Sequence, residues 1–150
     1  MRALAAHKLT VAIAEGDTGG LLLERLTASP GSSAVVIGGV VAYADSLKQS
    51  LLRVPDAVLR EHGSVSAQAA EAMAVGMRLL AHTSLGVATT GIAGPGGATE
   101  TKPVGLAYVA VASAERVVVR EFHWQGGRAA NRAASVGAAA DLLRELLLEM

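Results

Sequence analysis

The stretch of sequence that decides the fold is residues 9–20, LTVAIAEGDTGG. The part from Leu9 to Ala14 is short and continuously apolar, which is typical of a central strand that is buried on both faces. A glycine-containing turn at residues 15–20 then leads into an apolar run from Leu21 to Leu26, which we predict to be a helix. A strand, a tight turn and a helix in this order indicate a sheet that is covered by helices.

The rest of the chain repeats this alternation. Runs rich in β-branched residues predict further strands, and segments rich in alanine and leucine predict helices. The predicted strands are residues 34–43, 85–90, 104–112 and 116–124, and the predicted helices are residues 45–52, 56–61, 66–82 and 129–150. Only a short turn joins the last two strands, which favours an antiparallel hairpin at one edge of the sheet. The pattern as a whole predicts an α/β protein.

Two local signals refine this prediction. Gly38 and Gly39 lie inside a predicted strand, where two glycines indicate a bulge or a close approach of two backbones. Ser66 precedes the clearest helical periodicity of the chain and is a suitable N-cap residue.

Composition excludes several classes of protein. A chain of 150 residues fits one domain, and 51% hydrophobic with 17% charged residues excludes intrinsic disorder. Thirteen basic residues balance thirteen acidic ones, so no bulk positive charge attracts nucleic acid or an anionic membrane. The absence of cysteine excludes thiolate metal sites and cysteine nucleophiles. No apolar stretch has the length of a signal peptide or a membrane span, so we expect a cytoplasmic protein.

The first candidate site is the turn at residues 15–20, because ligands of open α/β sheets lie beyond the carboxyl ends of the strands. Backbone N–H groups at Gly19 and Gly20 can hold an anion or a polar ligand group at the start of the helix. Asp17 or Thr18 can equally well be simple helix caps, and the sequence leaves both interpretations open.

The second candidate site is the loop from Thr90 to Gly97, which follows another predicted strand. Its glycines predict a nest of backbone N–H groups that cradles a phosphate, and they are Gly91, Gly94, Gly96 and Gly97. The loop lacks the Gly-Lys-Ser/Thr ending of a Walker loop and the spacing of a dinucleotide fingerprint.

Tyr43 and Lys48 lie between these two turns in sequence. A desolvated lysine can act as a general base and a tyrosine can orient the reacting group, although a solvated lysine on a helix is the commoner arrangement. The four histidines show no metal-ligand spacing, so no metal site is predicted.

In order and spacing, seven segments of the chain resemble the CinA C-terminal domain family, which includes the stand-alone nicotinamide mononucleotide amidohydrolases called PncC. The segments are residues 14–20, 30–34, 38–43, Lys48, 62–66, 90–97 and 102–105. The resemblance implies a three-layer α/β/α fold around a mixed, mostly parallel sheet. For active members it implies hydrolysis of the carboxamide of nicotinamide mononucleotide to nicotinate mononucleotide and ammonia. We expect no cofactor, a homo-oligomer, and a pyridine ribonucleotide or a similar phosphate-bearing small molecule as the partner.

The chain departs from the family in the first turn. Active members resemble Ala-Glu-Ser-Cys-Thr-Gly-Gly there, and their serine is the nucleophile, paired with the lysine that matches Lys48 and assisted by the tyrosine that matches Tyr43. Here Gly16 stands at the serine position and Asp17 at the cysteine position. Because glycine has no side chain, an acyl-enzyme cannot form at this position.

The binding residues of the resemblance are retained, among them Thr18, the glycine-rich loop, and Arg128 and Arg132 after Gly126-Gly127. We therefore expect a member that binds a pyridine nucleotide with little or no hydrolysis. The alternative is an active deamidase that uses a water molecule activated by Asp17 or Lys48, or a substitute hydroxyl from Thr18, Ser32, Ser33 or Ser46. A third interpretation, a domain that only mediates assembly, is suggested by the family name alone.

Overall fold

A five-stranded sheet forms the centre of the protein in a computed structural model that describes all residues from 1 to 150. The strands are β1 (Val11–Glu15), β2 (Val36–Val41), β3 (Leu85–Gly91), β4 (Leu106–Ala112) and β5 (Val117–His123). Their order across the sheet is β2-β1-β3-β4-β5. The first three are mutually parallel, whereas β4 is antiparallel to both β3 and β5. Four strands therefore run in one direction, which confirms the mixed, mostly parallel sheet with an antiparallel hairpin at its edge.

Six helices cover the two faces of this sheet. They are α1 (Arg2–Ala6), α2 (Leu21–Thr27), α3 (Asp45–Ser50), α4 (Asp56–His62), α5 (Ala67–Ala81) and α6 (Arg128–Leu148). A single 3₁₀ turn, Ser32–Ala34, precedes β2. The sequence did not predict α1, because its five residues bury only Leu4 and show no periodicity. None of the six helices combines the length and the apolar character needed to cross a bilayer.

The two faces of the sheet have different cores. Leucine and valine side chains from α1, α2 and α6 fill one face, whereas alanine and methionine side chains from α5 dominate the other. The alanine-rich face brings helix and sheet very close together. A Cβ atom at Gly86 in β3 would lie only 2.1 Å from the carbonyl oxygen of Ala74 in α5, so only glycine fits there.

Both local signals in the sequence are confirmed. The Oγ atom of Ser66 accepts a hydrogen bond of 3.1 Å from the N–H of Ala69 and caps α5. The pairing of β1 with β2 skips Ile37, which forms a bulge beside Gly38. A Cβ atom at Gly39 would lie 2.7 Å from the carbonyl oxygen of Ile13, so the backbones of β1 and β2 also approach closely.

Candidate functional site

A small cavity of about 120 Å³ lies where the carboxyl ends of β1, β2 and β3 meet. The first turn, the segment after β2, the segment before α5, the end of β3 and the start of α6 all contribute to its wall. The lining residues are Gly16, Asp17, Tyr43, Lys48, Ser64, Val65, Thr90, Gly91, Ala93 and Arg128. Because the three strands are parallel, their carboxyl ends share one edge, and residues far apart in sequence are brought together there.

Seven of the lining residues were predicted from the sequence: Gly16, Asp17, Tyr43, Lys48, Thr90, Gly91 and Arg128. Seven predicted binding residues lie outside the cavity wall: Thr18, Gly19, Gly20, Gly94, Gly96, Gly97 and Arg132. The serines considered as substitute nucleophiles, Ser32, Ser33 and Ser46, lie outside it as well. Ser64 supplies a hydroxyl to the cavity instead, and sequence reasoning missed it.

Glu15, the last residue of β1, explains why the first turn does not offer its helix to a ligand. Its Oε2 atom accepts hydrogen bonds of 3.0 Å from the N–H groups of Gly20 and Leu22, and its Oε1 atom accepts one of 2.8 Å from the N–H of Leu23. A buried carboxylate is therefore the cap of α2. The prediction that Asp17 or Thr18 caps this helix was wrong. Of the two N–H groups proposed to hold an anion, that of Gly20 donates to Glu15 and that of Gly19 donates to the carbonyl oxygen of Gly16 at 3.2 Å.

Thr18 belongs to the same buried network. Its hydroxyl donates a hydrogen bond of 2.6 Å to Oε2 of Glu15 and lies 2.7 Å from Oγ1 of Thr89. The Thr18 residue is completely buried, so it cannot meet a ligand in the cavity. Its hydrogen bonds fix the turn, and its hydroxyl does not line the cavity.

Asp17, unlike Glu15 and Thr18, has a buried polar atom without a hydrogen-bond partner. Its Oδ1 atom is buried and has no hydrogen-bond partner, and its Oδ2 atom lies 2.7 Å from the position of a Cβ atom at Gly91. Burial raises the pKa of Asp17 from 3.8 to about 6, and the negative charge of Glu15 adds to this effect. The backbone N–H groups of Asp17 and Thr18 and the positive charge of Arg132 counteract it only in part. Asp17 is thus a poorly compensated acid in the cavity wall.

Lys48 is held in the wall of the cavity and is not the solvated helix lysine that the sequence also allowed. Only 3% of its surface is exposed. Its Nζ atom donates hydrogen bonds of 3.3 Å to the carbonyl oxygen of Tyr43 and to Oδ1 of Asp45. The carboxylate of Asp45 is itself largely exposed, so it compensates the charge of the lysine from the solvent side.

The first turns of α6 connect the two candidate loops. Arg128 donates hydrogen bonds to the carbonyl oxygen of Gly94 at 2.9 Å and to the hydroxyl of Tyr43 at 3.3 Å. Arg132 donates to the carbonyl oxygens of Asp17 at 2.9 Å and of Thr18 at 3.0 Å. Both guanidinium groups therefore bind backbone or hydroxyl oxygens.

Asn131 completes this connection and was missed by sequence reasoning. Its Nδ2 atom donates to the carbonyl oxygen of Ala93 at 3.1 Å, and its Oδ1 atom accepts from the N–H of Gly126 at 3.0 Å. The only signal for it in the sequence is a buried amide in a helix made mostly of alanine and leucine.

The glycine-rich loop leaves donors free beyond the cavity. The carbonyl oxygens of Ala93 and Gly94 point to α6 through the bonds just described. The N–H groups of Gly96 and Gly97 form no hydrogen bond within the protein, and both residues are exposed. Gly94 and Gly97 have positive φ angles of 87° and 90°, which other residues adopt only with strain.

A second and much larger cavity, of about 770 Å³, lies between α5 and the segment that leads into α4. Most of its lining is apolar, and none of the residues predicted for the site contributes to it. Size alone would select this cavity, but the titratable and hydroxyl groups converge on the smaller one.

Comparison with solved structures shows proteins of very similar architecture. A competence/damage-inducible protein from Agrobacterium tumefaciens superposes with a TM-score of 0.94 at 39% identity, over 97% of this chain and 89% of that protein. A member of the competence-damaged protein (CinA) superfamily from Klebsiella pneumoniae gives a TM-score of 0.96 at 30% identity, over 99% and 93% of the two chains.

Sequence comparison leads to the same group. A CinA-like protein of Synechococcus sp. (strain CC9902) is 48% identical over 150 residues, which are 99% of this chain and 36% of the relative. A CinA-like protein of Syntrophus aciditrophicus is 48% identical over 124 residues, which are 83% of this chain and 30% of the relative. The chain thus spans about a third of the length of these curated relatives. The family model described as the CinA C-terminal domain matches residues 1–147, and the chain therefore belongs to the CinA C-terminal domain family.

Proposed function

We propose that this domain binds the carboxamide end of a pyridine ribonucleotide in the small cavity and hydrolyses it very slowly or not at all. One observation carries the proposal. Gly16 forms part of the cavity wall and offers no attacking atom, while Lys48, Tyr43 and Arg128 stand around the same cavity. The residues that would bind and orient the ligand are present, and the nucleophile of the active members is absent.

The size of the cavity sets which part of the ligand enters it. A volume of about 120 Å³ is well below the roughly 300–1,000 Å³ of pockets that enclose drug-sized ligands, so the cavity has room for the carboxamide end but not for a whole nucleotide. The ribose and phosphate would stay at the mouth. The free N–H groups of Gly96 and Gly97 and the guanidinium of Arg128 are the groups we assign to the phosphate.

The missing nucleophile argues against fast hydrolysis. Loss of a nucleophile from a site that still binds its substrate typically reduces the rate by several orders of magnitude.

The alternative is a working deamidase with a different attacking group. Asp17, with a pKa of about 6, can take a proton from a water molecule at neutral pH. The water oxygen would bond to the carboxamide carbon, the C–N bond would break, and the proton would leave with the nitrogen as ammonia. The hydroxyl of Ser64, which lines the same cavity, is the other candidate attacking group.

The test is the release of ammonia from nicotinamide mononucleotide. We expect no detectable release by the unmodified protein and some by Gly16→Ser. Gly16→Ser with Asp17→Cys should release more than Gly16→Ser alone, because a carboxylate beside the new hydroxyl repels the developing oxyanion. Gly16→Ala is the matched control, because it adds the same Cβ atom without a hydroxyl.

The geometry permits these variants. A Cβ atom at residue 16 would lie 3.1 Å from the carbonyl oxygen of Thr89 and 3.5 Å from the Cα atom of Thr90, so β3 must shift by a few tenths of an ångström. Robust turnover by the unmodified protein that persists in Lys48→Ala would overturn the proposal. Turnover that is lost in Asp17→Asn or Ser64→Ala would favour the alternative and name its attacking group.

Binding is tested separately from turnover. A ligand that binds only the native state raises the melting temperature by mass action. We expect nicotinamide mononucleotide to raise it and free nicotinamide to have little effect. Equal shifts would remove the assignment of the phosphate to the glycine-rich loop.

A further inference from the structure

We infer that Asp17 makes the cavity selective for a carboxamide over the corresponding carboxylic acid. The inference rests on the proposed function and names the part of the ligand that the site distinguishes. It concerns a residue at which the chain departs from the active members that it resembles.

The first step is that Asp17 has no cationic partner. None of the ion pairs of the chain includes it. Lys48 is bound to Asp45 and to a carbonyl oxygen, and Arg128 is bound to Gly94 and Tyr43. Arg132 lies close enough to influence Asp17, but its donors are directed to two backbone carbonyl oxygens.

The second step is that Asp17 has unused acceptor capacity. Its Oδ1 atom has no hydrogen-bond partner, although it is buried, and its Oδ2 atom lies against Gly91 in the cavity wall. Because Oδ1 has no accessible surface in the unliganded protein, a ligand meets Asp17 at the part of its carboxylate that lines the cavity. The NH₂ group of a carboxamide can donate a hydrogen bond to that part, whereas a carboxylate supplies only acceptors and a second negative charge.

The third step is the dependence on pH. The ionisable groups around Asp17 are Glu15 on β1, Tyr43 after β2, Lys48 on α3, and Arg128 and Arg132 on α6. The remaining walls contribute Ser64, Val65, Thr90 and Gly91, none of which changes its charge. Since burial raises the pKa of Asp17 to about 6, its carboxylate is charged at pH 8 and mostly protonated at pH 5. Selectivity against an acid should therefore be strong at pH 8 and weak at pH 5.

The cavity should therefore bind the carboxamide more tightly than the corresponding carboxylic acid. Two like charges in one desolvated site, together with a lost hydrogen bond, weaken binding by about 10- to 100-fold. A domain of this kind would report the level of the unreacted amide and be insensitive to the deamidated product.

The experiment compares the affinities of nicotinamide mononucleotide and nicotinate mononucleotide by calorimetry at pH 5 and pH 8. For the unmodified protein we expect the amide to bind about 10- to 100-fold more tightly at pH 8 and the ratio to shrink at pH 5. In Asp17→Asn, which has nearly the same shape, the ratio should be small and the same at both pH values. Asp56→Asn removes an exposed carboxylate on α4 and should behave like the unmodified protein.

The possible failures are distinct. If neither nucleotide binds at either pH, the proposed function and this inference both fall. If both nucleotides bind with similar affinity at pH 8, or if Asp17→Asn keeps the full preference, the inference falls and the proposed function stands. Thermal melting of Asp17→Asn without ligand verifies that the variant is folded.

Discussion

Two acidic residues on either side of Gly16 lie in contrasting environments. Glu15 is buried and accepts hydrogen bonds from three backbone N–H groups and one hydroxyl. Asp17 has a buried Oδ1 atom with no partner and a raised pKa. The first carboxylate builds the turn, and the second is left available at a cavity. A single short turn therefore separates a structural acid from a candidate functional one, and the difference lies in how many donors each receives.

The largest effect should come from Glu15→Gln. The amide oxygen can still accept from Gly20 and Leu22, but the NH₂ group would then face the N–H of Leu23, so a buried donor would be left unpaired and the remaining bonds would lose the charge of the acceptor. We expect the free energy of unfolding to fall by about 3 kcal/mol or more, measured by urea denaturation. A loss below about 1 kcal/mol would show that the network around Glu15 is not what holds the turn.

The next largest effect should come from Asp17→Asn, with the opposite sign. The pKa of Asp17 is higher in the folded protein, about 6, than the ordinary value of 3.8, so the folded state binds the proton more tightly. The contribution of Asp17 to the free energy of unfolding should therefore be greatest below pH 4, fall as the pH rises from about 4 to about 6, and then level off. The difference of about two units between the folded and the ordinary pKa of Asp17 corresponds to a loss of about 3 kcal/mol in the free energy of unfolding at neutral pH.

Asparagine carries no charge to desolvate, so Asp17→Asn should be more stable than the unmodified protein by about 1 to 3 kcal/mol at pH 8 and nearly equal to it at pH 4. Thermal or urea unfolding across this pH range measures the difference. Asp56→Asn, in an exposed pair with Arg60, should not reproduce the pH dependence. If Asp17→Asn is less stable at pH 8, the carboxylate must be better paired than its surroundings indicate.

The smallest of the three effects should come from Thr18→Val. Valine keeps the shape of threonine but removes one donor to Glu15 and the contact with Oγ1 of Thr89. Because the three backbone donors to Glu15 remain, we expect a loss of about 1 kcal/mol in the free energy of unfolding. Thr27→Val, at an exposed threonine that bonds only to carbonyl oxygens of its own helix, is the matched control and should change little.

The sequence predicted every strand and all helices except α1, because these elements carry continuous apolar runs or clear periodicity. It could not predict the cap of α2. Sequence signatures of helix caps use residues next to the first turn, whereas Glu15 reaches back from the end of a strand to Leu22 and Leu23. Hydrogen bonds between a helix end and a distant side chain depend on the path of the backbone, and the spacing of residues in the sequence does not reveal them.

The sequence predicted only part of the candidate site, because the cavity is also lined by residues that only the path of the backbone brings there. Asp17, Tyr43 and Lys48 were nominated by their chemistry and by their place after predicted strands, whereas Gly16 and Arg128 gained their significance from the family resemblance. The structure places all five around one cavity. Ser64 and Asn131 were missed, because a serine after a glycine and an amide in a helix have ordinary structural uses. Only the fold shows that Ser64 lines the cavity and that Asn131 ties the loop at Ala93 to α6.

The close contact of β3 with α5 has a consequence for how this fold can vary over evolution. At Gly86 the helix backbone lies where a side chain would otherwise begin, and the surrounding core consists largely of alanine. Exchanges that add volume are therefore blocked on this face unless the whole helix moves away. The opposite face, filled by leucine and valine from α2 and α6, can exchange one large aliphatic residue for another. Because β3 also carries Thr90 and Gly91 to the cavity, a displacement of α5 would be passed on to the site. Substitutions should accumulate unevenly across the sheet, with the tighter face holding the position of the chemical groups constant.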